Sequence, residues 1–214
     1  MKKIGILGAG TVGQQLGLGV AAAGYKVMIG TRDTSKLNEW KEKAGANASV
    51  GSHKDAAHFG EMIVFCPKWE GAEEFVRLAG KENFKGKIVI DTTNPLHFVK
   101  EGQAPTLSIA YPDSAGAIVQ KWLPDAHVVK CFNTITAFKM CNGIFEEGKG
   151  SMLICGNDAS AKKTVTEILH KWNWDVVDMG SIERSSLLEA LAMTWIDYGF
   201  AHNHWTHGFR MMMK

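Results

Sequence analysis

Residues 2–30 read as strand, glycine turn, helix, strand, and that order restricts the chain to few folds. Lys2 to Leu7 is a short apolar run suited to a buried parallel strand. It leads straight into Gly8-Ala9-Gly10-Thr11-Val12-Gly13, a complete G-x-G-x-x-G. A helical stretch follows, with Val12, Leu16, Val20 and Ala23 near a 3.6-residue period, and Gly24 stops it. Tyr25 to Ile29 reads as the second strand. A G-x-G-x-x-G in this position has a mechanism. Gly8 makes the tight turn, Gly10 lets the backbone approach a pyrophosphate, and Gly13 lets helix pack on strand. The free N–H groups and positive end of the helix, from Thr11 and Val12 on, then bind the phosphates.

The end of the second strand indicates which dinucleotide. An NAD enzyme needs an Asp or Glu there to accept hydrogen bonds from the ribose 2′-hydroxyl. This chain has Gly30-Thr31-Arg32-Asp33-Thr34-Ser35-Lys36 instead. Thr31, Arg32 and Lys36 offer a hydroxyl, a planar fork and a flexible ammonium, a set suited to a 2′-phosphate. Asp33 is dissonant, and is expected to point away as part of a helix cap. The residues favour NADP(H) over NAD(H).

Further along, strands are expected at Glu61 to Cys66, Lys87 to Asp91, His127 to Phe132, Ser151 to Cys155 and Trp174 to Asp178. Helices are expected over Ser35 to Ala44, Gly71 to Ala79 and Ser114 to Leu123, and after a cap at Asp158. Ala46 to Gly60 is polar and small, with a short helix from Lys54, and His97 to Thr106 reads as irregular. The alternation predicts a Rossmann-type α/β fold, doubly wound, with a mostly parallel sheet of seven to eight strands. Residues 1–180 would form this domain. Residues 181–214 would form a small helical C-terminal segment, opened by a capping box at Ser186-Leu187-Leu188-Glu189 and running past Phe200. That segment is too short to bury a core of its own, and should lie against the sheet domain, a second subunit, or both.

A formal net charge of +2 supports neither a nucleic-acid stripe nor a membrane-surface patch. No apolar run reaches the roughly twenty residues that span a bilayer, and the first strand starts after two lysines, leaving no room for a signal peptide. Cys66, Cys131, Cys141 and Cys155 lack C-x-x-C spacing and read as buried thiols of a cytoplasmic protein.

In an open parallel sheet the ligand lies beyond the carboxyl ends of the strands. Those ends carry Gly8 to Val12, Gly30 to Arg32, Cys66-Pro67-Lys68-Trp69, Thr92 to Pro95 and Asn133-Thr134-Ile135. This set is short of catalytic machinery, with no carboxylate–histidine pair, no activated serine and no metal cluster. Asp91 reads as a hydrogen-bonding anchor. Hydride transfer between two rings needs stacked faces at the correct distance and no proton shuttle. Reduction of a C=O or C=N metabolite would instead need a proton donor, for which Lys68 and His97 are the nearby candidates. A non-catalytic NADP(H)-binding module is a third reading. In the tail, His204 and His207 would share a helix face at a spacing that can bind zinc. No Cys or acid accompanies them, so His202, His204 and His207 read as pocket-lining or dimer-interface residues.

Several stretches together resemble the NADPH-dependent reductases of the deazaflavin coenzyme F420, and the related reductase domain of six-transmembrane metalloreductases. They are residues 4–13, Gly30-Thr31-Arg32, Asp91-Thr92-Thr93-Asn94-Pro95-Leu96, Lys130-Cys131-Phe132-Asn133-Thr134-Ile135, and residues 154–163 and 180–189. The resemblance implies NADP(H) held by Thr11, Val12, Thr31, Arg32 and Lys36, with nicotinamide near Pro67 and the Asn133-Thr134-Ile135 loop. It also implies a homodimer whose C-terminal helix covers a small-molecule ring acceptor, F420 or a flavin. From Gly199 on, the histidine- and aromatic-rich tail departs from that family's pattern.

Overall fold

The computed structural model describes residues 2–212. Its first unit is β1 (Lys3–Leu7), α1 (Thr11–Ala22) and β2 (Lys26–Gly30), as the periodicity predicts. A short 3₁₀ turn, Thr34–Leu37, opens α2 (Asn38–Ala44), whose Trp40 is buried. The polar stretch that follows contains a strand the pattern did not show, β3 (Ala48–Gly51), before α3 (His53–Phe59). β3 is a sheet edge of four residues, Ala-Ser-Val-Gly, too short and too polar to alternate visibly. Next come β4 (Met62–Phe65), α4 (Ala72–Ala79) and β5 (Ile88–Asp91). Within the stretch expected to be irregular, β6 (Leu96–His97) and β7 (Thr106–Leu107) pair as a small antiparallel ribbon.

The second half contains α5 (Ala115–Trp122), β8 (His127–Lys130), and a second ribbon of β9 (Ile144–Phe145) with β10 (Gly148–Lys149). It closes with β11 (Ser151–Gly156), α6 (Ala159–Lys171), β12 (Asp175–Asp178) and α7 (Ser185–His202). The main sheet has the order β12-β11-β8-β5-β4-β1-β2-β3. Six of its strands, β8, β5, β4, β1, β2 and β3, run parallel. β11 runs antiparallel to β8, and β12 follows β11. The sheet is thus mostly parallel, as expected, and the parallel run ends at β8 for a local reason. Between β8 and β11 there is only the 3₁₀ turn Ala137–Lys139 and no α-helix to return the chain to the opposite edge, so β11 starts at the carboxyl edge and runs back.

Alternating strand residues feed two cores. Ile4, Ile6, Val27, Ile29 and Val64 meet α1, α2 and α6 through Leu16, Val20, Trp40, Val165 and Leu169. Leu7, Ile63, Phe65, Val89 and Val128 meet α3, α4, α5 and α7 through Ala56, Val76, Val119 and Leu188. Both faces are therefore covered, the condition for a parallel sheet. Among the described residues no helix is long and apolar enough to cross a membrane.

The start of α7 differs from the expected capping box. Arg184 occupies the N-cap without a side-chain cap bond, and Ser186 Oγ donates back to the Glu183 carbonyl. Glu189 instead turns away to cap another helix, accepting from Ala115 N and Gly116 N at the start of α5, each at 3.0 Å. α7 ends at His202, where Asn203 takes a left-handed φ of 47°. His204 and His207 therefore share no helix face.

Candidate active site

The glycine turn is shaped as its spacing requires. Gly8 has φ 136°, and a Cβ there would lie 2.5 Å from the Cys66 carbonyl oxygen. A Cβ on Gly13 would overlap the Gly8 carbonyl oxygen, because helix and strand touch there. A Cβ on Gly10 would meet nothing within 4 Å. The open space thus lies over Gly10, the N-cap of α1. The first intrahelical bond runs from Gln14 N to Gly10 O, so the amides of Thr11, Val12 and Gly13 have no acceptor within the helix. No acidic residue occupies that first turn to neutralise the dipole.

Beneath the turn, the Cys66 thiol faces the carbonyls of Leu7 and Gly8 at 3.4 and 3.6 Å. Burial first, then the nearby Asp91 charge, push its pKa up to about 12. Pro67 is buried and Lys68 is exposed.

At the end of β2, Thr31 Oγ1 lies 3.2 Å from Asp33 N. Asp33 caps the 3₁₀ turn, accepting from Ser35 N at 3.1 Å and Ser35 Oγ at 2.6 Å. These bonds to Ser35, ahead of the charge of Lys36, hold its carboxyl below the usual range. Lys36 Nζ reaches Asp33 at 3.7 Å. The Arg32 guanidinium is exposed and pairs with no carboxylate among the described residues.

The other end of the cleft is a buried polar lattice. Asn94 Nδ2 donates to the Asn133 carbonyl at 2.8 Å, and Asn133 Nδ2 donates to Asn94 Oδ1 at 3.1 Å and Leu188 O at 2.8 Å. Two acceptors around Nδ2 fix the amide orientation, and they leave Asn133 Oδ1 buried without a partner. Phe132, immediately before it, has φ 64°, a strained value for a residue with a side chain. Ile135 and Pro95 are buried beside this lattice, and Thr134 is 4 % exposed. Below it, Asp91 Oδ1 accepts from Thr93 N at 2.9 Å, the anchoring role its position implies. Its other oxygen binds Lys130 Nζ at 3.0 Å, and Lys130 Nζ lies 2.9 Å from Glu189 Oε1. Lys130 also donates to the Thr93 carbonyl. With these acceptors around one ammonium and no exposure, Lys130 is a structural group and not a proton donor to a ligand.

The tail folds back on the C-terminal half. Phe209 O accepts from Ser151 N at 2.8 Å, and Met211 N donates to Ser151 Oγ at 2.9 Å. The His207 ring stacks on Trp195 at 4.7 Å, its nitrogens facing the carbonyls of His204 and Trp195. Among the described residues no three potential ligands gather as a metal site. Of the Met211-Met212-Met213 run, Met213 lies outside the described residues.

Residues 3–95, from β1 through the Asn94-Pro95 turn, match the family model described as NADP oxidoreductase, coenzyme F420-dependent. An F420-dependent NADP reductase of Methanocaldococcus jannaschii is 30% identical, over 98% of this chain and 97% of its own length. The chain belongs to the F420-dependent NADP oxidoreductase family. A crystal structure from Arthrobacter sp. FB24, provisionally described as an F420-dependent NADP-reductase, superposes with a TM-score of 0.93 and 32% identity over 100% of both chains. That match to the family fold includes the tail after Gly199. The metalloreductase STEAP3 of Rattus norvegicus is 29% identical over 89% of this chain but only 36% of its own length.

Sequence reasoning placed the five strand-end segments at one edge, and the structure brings them there. It missed the contribution of α7, whose Leu188 carbonyl and Glu189 carboxylate complete the polar lattice. It also missed β3 and with it His53, which stands at the end of that strand.

Proposed function

We propose that the protein transfers hydride between NADP(H) and the deazaflavin coenzyme F420. One observation carries the dinucleotide half: open space over Gly10, bounded by three unbonded helix amides, between an unpaired guanidinium at Arg32 and an unpaired amide oxygen at Asn133. The acceptor half rests on the relative from M. jannaschii, whose name specifies F420 and whose full length this chain matches.

NADPH, when bound, supplies the hydride from its nicotinamide ring. Gly8, Gly10 and Gly13 leave room for the pyrophosphate, and the amides of Thr11, Val12 and Gly13 bind it. Thr31, Arg32 and Lys36 hold the 2′-phosphate, with Lys36 leaving its weak, exposed contact to Asp33. Asn133 Oδ1 accepts from the carboxamide, which satisfies the buried oxygen and orients the ring. Pro67, Pro95 and Ile135 form apolar walls that exclude water, while Cys66, Lys68, Asn94 and Thr134 complete the lining. The C-terminal helix α7, with the described tail that folds back after it, covers the acceptor in a homodimer, and four unpaired cysteines support a cytoplasmic reading. Because Lys130 is fully engaged, the site orients rings and shuttles no proton through that residue. The test is NADPH oxidation followed at the nicotinamide band with F420, FMN, FAD and riboflavin supplied separately. Oxidation by F420 alone supports the reading, and saturable NADPH binding with no turnover against any of them overturns it.

A further inference from the structure

Two buried side-chain atoms among the described residues have no hydrogen-bond partner, Asn133 Oδ1 and His53 Nε2. The second belongs to a residue whose backbone stands at the opposite end of the strand-end edge. His53 is the first residue of α3, 4 % exposed, directly after the Ser52 cap. β2 and β3 pair through Gly30 and Gly51, and Thr31 N donates to Gly51 O. His53 therefore leaves β3 where Thr31 and Arg32 leave β2. A Cβ on Gly30 would lie 2.9 Å from His53 Cα, so the two segments are flush. The imidazole meets the Phe75 ring of α4 edge-on at 4.4 Å.

On α4, Glu74 is forked onto Arg77 through bonds of 2.6 and 2.5 Å. On α3, Asp55 serves the Ser52 cap, with Lys54 and His58 nearby. In the loop after β2, Arg32 makes no ion pair, and its charge, after the hydrogen bonds and charge of Arg77, helps hold the Glu74 carboxyl low. Burial first, then the Arg32 charge, hold the His53 imidazole below the ordinary histidine value. A neutral imidazole with an unfilled nitrogen thus stands beside an unpaired guanidinium, an arrangement that costs stability until an anion arrives.

We infer that His53 is a specificity-determining residue for the 2′-phosphate: its Nε2 donates to the phosphate that Arg32 holds, and the imidazole takes one proton from solvent as that phosphate binds. The inference rests on the NADP(H) reading. The arriving dianion outweighs the Arg32 charge, so the field that disfavoured the imidazolium now favours it, and a charge-assisted bond replaces the orphaned nitrogen. No other bond changes, and the proton is the only species exchanged with solvent.

Isothermal titration of 2′,5′-ADP and 5′-ADP, near neutral pH in buffers of different ionisation heat, tests this. Wild-type protein is expected to prefer 2′,5′-ADP and to take up protons with it but not with 5′-ADP. His53→Gln is expected to weaken 2′,5′-ADP about tenfold, leave 5′-ADP unchanged, and abolish the proton uptake beyond the phosphate's own titration. A wild-type preference for 2′,5′-ADP without proton uptake, or an equal loss of both ligands in the variant, overturns the role of His53 alone. No preference in the wild type overturns the NADP(H) reading and this inference with it. The buffer series on wild-type protein decides the matter even where the variant fails to fold.

Discussion

The ammonium of Lys130 stands 2.9 Å from the Glu189 carboxylate, and both side chains are buried. This contact ties the end of β8 to α7 across the floor of the candidate nicotinamide end. The same ammonium binds Asp91 at the end of β5, and Glu189 caps α5. Four elements therefore meet at one buried charge cluster. Burial alone would lower the lysine pKa, and the carboxylates of Asp91 and Glu189 more than offset it, holding the ammonium above its usual value.

Lys130→Met removes the cation and leaves two buried carboxylates facing each other. A loss of about 3–5 kcal/mol in urea unfolding is expected, because breaking a buried pair leaves uncompensated charge. A change below about 1 kcal/mol would show that the cluster is solvated in the folded protein.

Much of this was written in the sequence, and what was not has identifiable causes. The glycine turn and the strand-end segments are local chemistry, so spacing alone located them. The direction of β11 depends on a loop without an α-helix, and β3 is too short and polar to show a period. Glu189 carried a capping-box spacing but is captured by Lys130 and the amides of α5, a tertiary contact that overrides local preference. A lysine among the apolar residues of His127 to Phe132, in register with Asp91, was the available clue. Asn133 was legible from its place at a strand end, but its orphaned oxygen, like the orphaned nitrogen that singles out His53, exists in the folded state alone.

Gly10 and Gly13 separate binding from folding. Gly13→Val places a side chain into the Gly8 carbonyl and is expected to destabilise the protein by about 4 kcal/mol or more. Gly10→Val enters open space, so stability should fall by only about 1–2 kcal/mol while NADPH and NADH affinity drop about 100-fold. Thermal melting and fluorescence titration of both variants check this, and retained NADPH affinity in Gly10→Val would show that the pyrophosphate lies elsewhere.

Arg32→Glu removes the phosphate fork and adds repulsion. NADPH binding is expected to weaken about 100-fold and NADH binding about threefold or less. Equal losses for both nucleotides, measured by titration, would remove Arg32 from the 2′-phosphate site.

Thiol chemistry should not control this protein. Burial pushes Cys66 and Cys141 up to about 12, so about one molecule in 10⁴ carries either thiolate near pH 8. Iodoacetamide is expected to leave the native protein unmodified at these positions and to label all four cysteines in urea. Rapid alkylation of native Cys66, read by peptide mass spectrometry, would contradict its placement under the glycine turn.

The central claim is direct hydride transfer from NADPH to a deazaflavin without a protein proton shuttle. Its most direct test uses NADPH deuterated at each face of nicotinamide C4 in turn, with F420 as acceptor and mass spectrometry of the reduced product. One labelled face is expected to deliver a full deuterium to the acceptor ring carbon, and the other none. Loss of the label to water from both faces, or no reduction of F420 at saturating NADPH, would contradict it.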